Sequence, residues 1–129
     1  MKNIISKVST FLYWVSTGLV LLLVGVGSFA DLLMVDAIRE SFQHIRFPEY
    51  IIPFFGIAKL LGSVAIVLPG RLKLKEWAYA GLAFYFIGAT YIHIAVGDGM
   101  DKISVTSIIF LVVITSYSFS KPLSPQKAS

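Results

Sequence analysis

The chain has 129 residues, of which 57% are hydrophobic and only 14% are charged, and its formal net charge is +4. A soluble domain is typically about 45–50% apolar and about 25% charged, so this composition excludes an ordinary soluble protein. The sequence contains no cysteine, which excludes disulfide bonds, cysteine-ligated metal centres and thiol redox chemistry.

Four apolar stretches predict transmembrane helices. Each is long enough to cross a hydrocarbon layer of about 30 Å, and in lipid each must be a helix to bond its own backbone groups. We predict an all-α integral membrane protein with four transmembrane helices in an antiparallel bundle. The bundle is one domain over residues 1–121, with spans at about 8–30, 50–68, 77–96 and 103–119, and residues 122–129 form a disordered cytoplasmic tail.

The first stretch also has the features of a secretory signal. Lys2 and Lys7 precede it, and Ser28-Phe29-Ala30 resembles a cleavage site. The apolar part of a signal is typically 7–15 residues long. The run from Phe11 to Ala30 is longer and contains no ionisable side chain, which favours a membrane span.

The connection between the first two spans predicts an amphipathic outer segment. Its apolar residues recur at helical spacing, while charged residues lie off that stripe. We expect a helix lying over the outer end of the bundle, or an extension of the first span, that ends at Phe47-Pro48. The apolar stripe consists of Val35, Ile38, Phe42 and Ile45.

The distribution of basic residues predicts the orientation. The N-terminal segment, the second connection and the C-terminal tail contain seven Lys and Arg residues, whereas the first and third connections contain three. By the positive-inside rule both termini are cytoplasmic. The basic residues lie beside membrane ends, which is typical of contact with anionic lipids, so nucleic acid is not an expected partner.

Lys59 is a charged residue inside a predicted span. It lies nine residues after Tyr50, roughly 14 Å below the outer boundary. Inserting a lysine there costs about 2.5–3.5 kcal/mol, and such residues usually face the bundle interior and mark a functional site. The alternative is a side chain that snorkels to the interface. Because the stem reaches only about 6 Å, we favour an interior lysine that is functional or paired.

Candidate partners for Lys59 are sought at its own depth. His93 lies about 24 Å above the start of the third span, and Asp31 closes the first span at a similar level. We predict a polar cluster of Lys59, His93 and Asp31 in the outer half of the bundle, with Glu49 or Asp98 at its mouth. The alternative for His93 is an interfacial histidine bonded to a backbone carbonyl or to water.

Small residues on two spans predict close helix packing. Such spacing in lipid brings helix backbones together, and a cofactor groove is the less favoured use. The shared faces contain Gly56, Lys59 and Ser63 on the second span, and Gly81, Tyr85 and Gly88 on the third.

The sequence contains no conventional catalytic or metal-binding motif. His44 and His93 are 49 residues apart, and there is no His-Glu-x-x-His motif, phosphate-binding glycine loop or nucleophile elbow. We expect His44 to face solvent. No catalytic residues and no metal site are therefore predicted, and whether the protein is an enzyme stays open.

Several stretches of the sequence resemble a known family. They are Phe47-Pro48-Glu49-Tyr50, residues 56–62, residues 74–81, and His93 with Gly97-Asp98. This pattern, most specific at Lys75 to Gly81, resembles the DoxX-like family of small four-span bacterial membrane proteins. The resemblance implies a bundle in the bacterial cytoplasmic (inner) membrane with both termini cytoplasmic, and it implies Lys59 and His93 as candidate functional residues.

The resemblance implies no single reaction. Founding members resemble a small subunit of a thiosulfate:quinone oxidoreductase, other relatives are associated with membrane oxidoreductase complexes in redox stress, and distant animal relatives look like receptor-assembly chaperones. Our favoured hypothesis is an accessory or assembly subunit that binds partner membrane proteins, or a second copy of itself, within the lipid.

The second hypothesis is a subunit that binds a quinone or another lipid-soluble small molecule between the spans. Lys59 or His93 would bond to a carbonyl oxygen of that molecule, although no cofactor is evident from the sequence. The candidate pocket-lining residues are Phe55, Ser63, Tyr85 and Tyr91.

Overall fold

The computed structural model describes residues 1–120, and within that range the chain is helical and contains no strand. The helices are α1 (Lys2–Leu33), α2 (Asp36–His44), α3 (Ile52–Val67), α4 (Leu72–Ala95) and α5 (Met100–Ser120), and a 3-10 turn (Glu49–Ile51) precedes α3. All except α2 are long and apolar enough to cross a membrane, α3 together with its 3-10 turn. The predicted all-α membrane bundle is confirmed, whereas the predicted tail at 122–129 lies outside the described residues.

The four long helices form a closed ring. The first part of α1 packs against α5 and its last part against α3, while α4 packs against both α3 and α5. The two chain ends of this range and the turn at residues 68–71 lie at one end of the ring, which we call the terminal end. The opposite end carries α2 and the connection at residues 96–99, and we call it the α2 end.

The helices extend beyond the predicted spans. Helix α1 begins at Lys2 rather than near residue 8, and α4 begins at Leu72 rather than at Trp77. The spans were predicted from apolar runs, which mark the hydrocarbon layer. A helix needs only its backbone bonds to continue, so α4 also includes the charged residues Lys73, Lys75 and Glu76.

Three helices at the α2 end stop in the same way. Met34, Arg46 and Gly97 have positive φ angles of 50°, 63° and 80°, and each follows the end of α1, α2 or α4. This is the Schellman motif, in which the next N–H bonds to a carbonyl five residues back. Gly97 adopts this conformation freely, whereas a side chain there costs roughly 1–2 kcal/mol. The bonds are Val35 N to Ala30 O (3.3 Å), Phe47 N to Phe42 O (2.9 Å) and Asp98 N to His93 O (2.9 Å).

The amphipathic segment is confirmed as helix α2. Phe42 is buried, Ile38 and Ile45 are half-buried, and Val35 is exposed because it precedes the helix. The Phe42 ring lies 6.0 Å from that of Phe55 on α3, centroid to centroid. An aromatic contact therefore attaches α2 to the bundle.

Gly56 allows α1 and α3 to approach closely. A Cβ atom built at Gly56 would lie 3.0 Å from Asp31 Cβ and 3.1 Å from the backbone nitrogen of Leu32. The predicted close packing is therefore confirmed at Gly56. At Gly81 and Gly88 nothing in the described chain lies within 4 Å of such an atom, so these glycines do not mediate close packing here.

We expect Gly56→Ala to lower the free energy of unfolding by about 1–3 kcal/mol, because a backbone atom of α1 would have to move away. Unfolding in mixed detergent micelles, followed by circular dichroism, measures the change. Gly81→Ala is the matched control and should retain stability or raise it by up to about 1 kcal/mol, because alanine is favoured over glycine in a helix interior. Equal stability of the two variants would show that the contact between α1 and α3 relaxes without cost.

Candidate functional site

A buried ion pair joins α1 and α3. Lys59 Nζ lies 2.7 Å from Asp31 Oδ2, and the two side chains are 11% and 2% exposed. The amine also lies 5.5 Å from the centre of the Tyr85 ring on α4, a cation–π arrangement. Lys59 is therefore enclosed by groups from α1 and α4.

The ion pair depends on both partners. Asp31 Oδ2 is buried and accepts no well-aligned hydrogen bond within residues 1–120, so the ammonium group of Lys59 balances its charge. Removing one member of a buried pair leaves an uncompensated charge, which is far more costly than removing both.

A cavity of about 480 Å³ lies beside the ion pair at the α2 end. We call it the main cavity. Its volume is within the range of about 300–1,000 Å³ typical of small-molecule sites, and its mostly apolar wall with a few polar groups is also typical. The aromatic wall residues are Phe42, Phe47, Phe55, Phe84, Tyr85 and Phe86, and the polar ones are Ser41, Lys59, His93 and Thr106.

A smaller cavity of about 290 Å³ lies between α3 and α4. Its wall is formed mostly by small and apolar side chains, among them Gly62, Ala65 and Ala78. Lys59 and Tyr85 line this cavity as well as the main one. Lys59 therefore lies at the boundary between the two spaces.

A π-helical stretch (Leu21–Gly25) interrupts α1 on the wall of the main cavity. Leu23 and Val24 of this stretch line the cavity. Such interruptions occur frequently at functional sites. Ser28, one turn further on, is fully buried and donates to the Gly25 carbonyl at 2.6 Å.

Two histidines share one carboxylate at the α2 end. Asp98 Oδ2 lies 2.6 Å from His93 Nδ1, and Asp98 Oδ1 lies 2.5 Å from His44 Nε2. The side chains of His44, Asp98 and His93 are 46%, 8% and 15% exposed. Hydrogen bonds from His93 and, to a smaller extent, from His44 hold the pKa of Asp98 below its ordinary value of 3.8. We call these three residues the His–Asp–His unit.

Local backbone geometry positions this unit. Because α4 ends in a Schellman motif at Gly97, the chain turns back and Asp98 lies over the last turn of the helix, beside His93. His44 is the last residue of α2, and its side chain bonds to the same carboxylate. The unit therefore connects α2 to the end of α4.

The structure brings together only part of the predicted cluster. Lys59 and Asp31 are in direct contact. His93 bonds to Asp98 instead of Lys59, although both Lys59 and His93 line the main cavity. Glu49 is exposed and accepts a hydrogen bond from Gln43 at 2.9 Å, so it does not contribute to this cavity.

Two of the four predicted pocket residues line the main cavity, namely Phe55 and Tyr85. Tyr91 is exposed on another face of α4 and lines neither cavity beside Lys59. Ser63 is buried, but its hydroxyl donates to the Lys59 carbonyl at 2.9 Å within α3, and it also lines neither cavity.

Sequence reasoning missed His44 as a partner of Asp98. His44 was expected to face solvent, and it is about half exposed, but its imidazole also bonds to Asp98. The contact of His93 with Asp98 had a local signal, because a helix that ends at Gly97 places the next residue over its last turn. The contact of His44 with Asp98 had no local signal in the sequence, since it depends on how α2 lies across the bundle.

Comparison with protein families gives one match to this chain. The sequence model of the DoxX-like family matches residues 15–116, which is most of the chain. Comparison with curated proteins finds no match. Comparison with solved structures also finds none.

The ion pair gives a double-mutant prediction. Lys59→Met and Asp31→Leu should each lower the free energy of unfolding by about 3–5 kcal/mol, because each leaves one buried charge unpaired. The double variant should be close to wild type or more stable. Denaturant titrations in micelles measure all four proteins. Additive losses in the double variant would show that the two charges do not compensate each other.

Acidification should weaken the His–Asp–His unit. Because the pKa of Asp98 is lowered in the folded protein, the stabilisation is complete above about pH 3.8 and is lost as the pH falls through the lowered value. We expect the midpoint of thermal unfolding to fall more steeply below that pH in the wild type than in Asp98→Asn. Identical slopes for wild type and Asp98→Asn would contradict the lowered pKa.

Proposed function

The chain belongs to the DoxX-like family. We propose that this multi-pass membrane protein is an accessory subunit of a membrane oxidoreductase. Its contribution to the complex is the binding of a quinone or a similar lipid-soluble aromatic molecule. The observation that carries this proposal is the main cavity, with its aromatic wall and its polar groups Lys59 and His93.

The cavity has groups that suit such a ligand. Aromatic side chains pack well against a planar ring, and Phe55 and Tyr85 meet edge to face at 5.4 Å on the cavity wall. A ring carbonyl accepts hydrogen bonds, which an ammonium group such as that of Lys59 or a protonated imidazole donates. A quinone, when bound, supplies the capacity to accept electrons and protons at its ring oxygens.

The composition of the chain supports the accessory role. The sequence has no cysteine, so it has neither a redox thiol nor a cysteine-ligated cluster that passes electrons. We therefore assign the supply of electrons to a partner subunit that contacts this chain in the lipid.

We also propose the bacterial inner membrane as the location, with the terminal end in the cytoplasm. Arg71, Lys73 and Lys75 lie near the turn at the terminal end, beside both ends of the described chain. Positive charge on that side supports the orientation. The His–Asp–His unit then faces the opposite aqueous side.

Gentle extraction tests the proposal directly. The purified protein is analysed by absorbance and by mass spectrometry, and its affinity for added decyl-substituted benzoquinone is measured by calorimetry. We expect a lipid-soluble aromatic molecule to co-purify and the added quinone to bind. A wild-type protein that retains only phospholipid and binds no added quinone would overturn the proposed function.

Filling the main cavity provides a matched pair of variants. Gly88 lines it and has open space around a built Cβ atom, so Gly88→Leu should occupy the cavity without displacing a helix. We expect affinity for the quinone to fall at least about tenfold, or about 1.4 kcal/mol. Gly81→Leu, which projects into the smaller cavity, should retain wild-type affinity. If only Gly81→Leu lost binding, the ligand would belong to the smaller cavity.

A further inference from the structure

The His–Asp–His unit extends from the aqueous surface to the main cavity. His44 is about half exposed at the α2 end, and His93 lines the cavity. Asp98 lies between them and bonds to both through separate oxygens, at 2.5 Å and 2.6 Å. Three ionisable groups therefore link water to the space beside Lys59.

The hydrogen bonds to Asp98 show which ring nitrogen of each imidazole carries no hydrogen. An ionised carboxylate is only an acceptor, so the nitrogens bonded to Asp98 carry hydrogen: Nδ1 of His93 and Nε2 of His44. This assigns the tautomers from the network. Within residues 1–120 neither His93 Nε2 nor His44 Nδ1 makes a hydrogen bond. In the neutral imidazoles each of these two nitrogens carries a lone pair that can accept a hydrogen bond.

We propose that the His–Asp–His unit exchanges protons between water and the main cavity, where His93 Nε2 hydrogen-bonds to a ring oxygen of an apolar aromatic ligand. The inference rests on the proposed function and narrows the ligand to the hydroquinone and quinone class, whose ring oxygens carry or accept a proton.

One proton enters the unit as another leaves. In the proposed exchange the unit holds one extra proton at a time, either on His44 or on His93, because two imidazolium groups beside one carboxylate repel each other. When the ligand O–H bond breaks, its proton forms the N–H bond at His93 Nε2, and His44 Nδ1 releases a proton to water. Positive charge moves from His44 to His93, the ligand oxygen becomes anionic, and no electron is transferred.

Other charges surround this exchange. Lys102 acts on Asp98 through space and favours its ionised form. Lys59, on the wall of the same cavity, is a second cation, besides protonated His93, for a ligand oxygen that has lost its proton, while Asp31 balances it in the resting state. The same arrangement serves both ligand forms, because neutral His93 accepts a bond from a hydroxyl and protonated His93 donates one to a carbonyl.

Calorimetric titration measures the proposed exchange without any turnover. Decyl-substituted benzoquinone and its hydroquinone are titrated into the purified protein between pH 5.5 and 8, in two buffers with different enthalpies of ionisation. We expect quinone binding to strengthen at low pH, with a proton uptake that falls to zero once the unit already holds its one extra proton. Hydroquinone binding should release protons and strengthen at high pH.

Two variants and one control locate these effects. His93→Gln should weaken binding about tenfold and abolish its pH dependence, since a hydrogen bond to a charged group is lost. His44→Gln leaves the cavity wall unchanged. It should raise the pH at which the protein changes from preferring the quinone to preferring the hydroquinone, because no second cation then opposes the proton on His93. Tyr91→Phe, on an exposed face of α4, should behave as wild type.

The outcomes separate this inference from the proposed function. If the wild type binds the quinone but both histidine variants keep its proton exchange and pH profile, the inference is overturned and the proposed function stands. If the wild type binds neither form, the proposed function fails. Circular dichroism of each variant confirms that the helices are retained, and His44→Gln provides the test even if His93→Gln does not fold.

Discussion

The ion pair between Lys59 and Asp31 is the interaction on which the arrangement of this bundle depends. In an apolar interior neither charge is tolerated alone, so α1 and α3 are fixed in one register at this depth. Gly56, one turn from Lys59, permits the approach because a side chain there would meet Asp31 and the α1 backbone. Gly56 and Lys59, the glycine and the one charged residue at this level of α3, therefore serve the same contact.

The two halves of the bundle differ in how their polar groups are used. Towards the terminal end, Ser116 joins three helices through hydroxyl contacts of 2.6 Å with Thr17 and with Tyr79. Those bonds satisfy small polar groups inside a packed core. At the α2 end the polar groups Lys59, His93 and Thr106 instead line the main cavity, which α2 covers. The candidate site therefore lies in the half where polar side chains face a cavity.

The sequence predicted what depends on counting along a helix and missed what depends on which way a helix faces. Apolar runs located the four spans, and residue depth placed Asp31 at the level of Lys59. In lipid, however, the inward and outward faces are both apolar, so hydropathy did not separate inward-facing Tyr85 from exposed Tyr91. The bond of His44 to Asp98 joins residues 54 positions apart and depends on the docking of α2.

The charges around the main cavity favour a neutral ligand over an ion. Lys59 and Asp31 cancel, and the His–Asp–His unit is neutral when it holds one extra proton. A cavity with no net charge offers an ion little compensation for its lost hydration. It offers a neutral ring both apolar contact and directional hydrogen bonds. On the proposed function, the fixed ammonium of Lys59 orients a ligand oxygen, and the movable proton of the two histidines responds to the protonation of that oxygen.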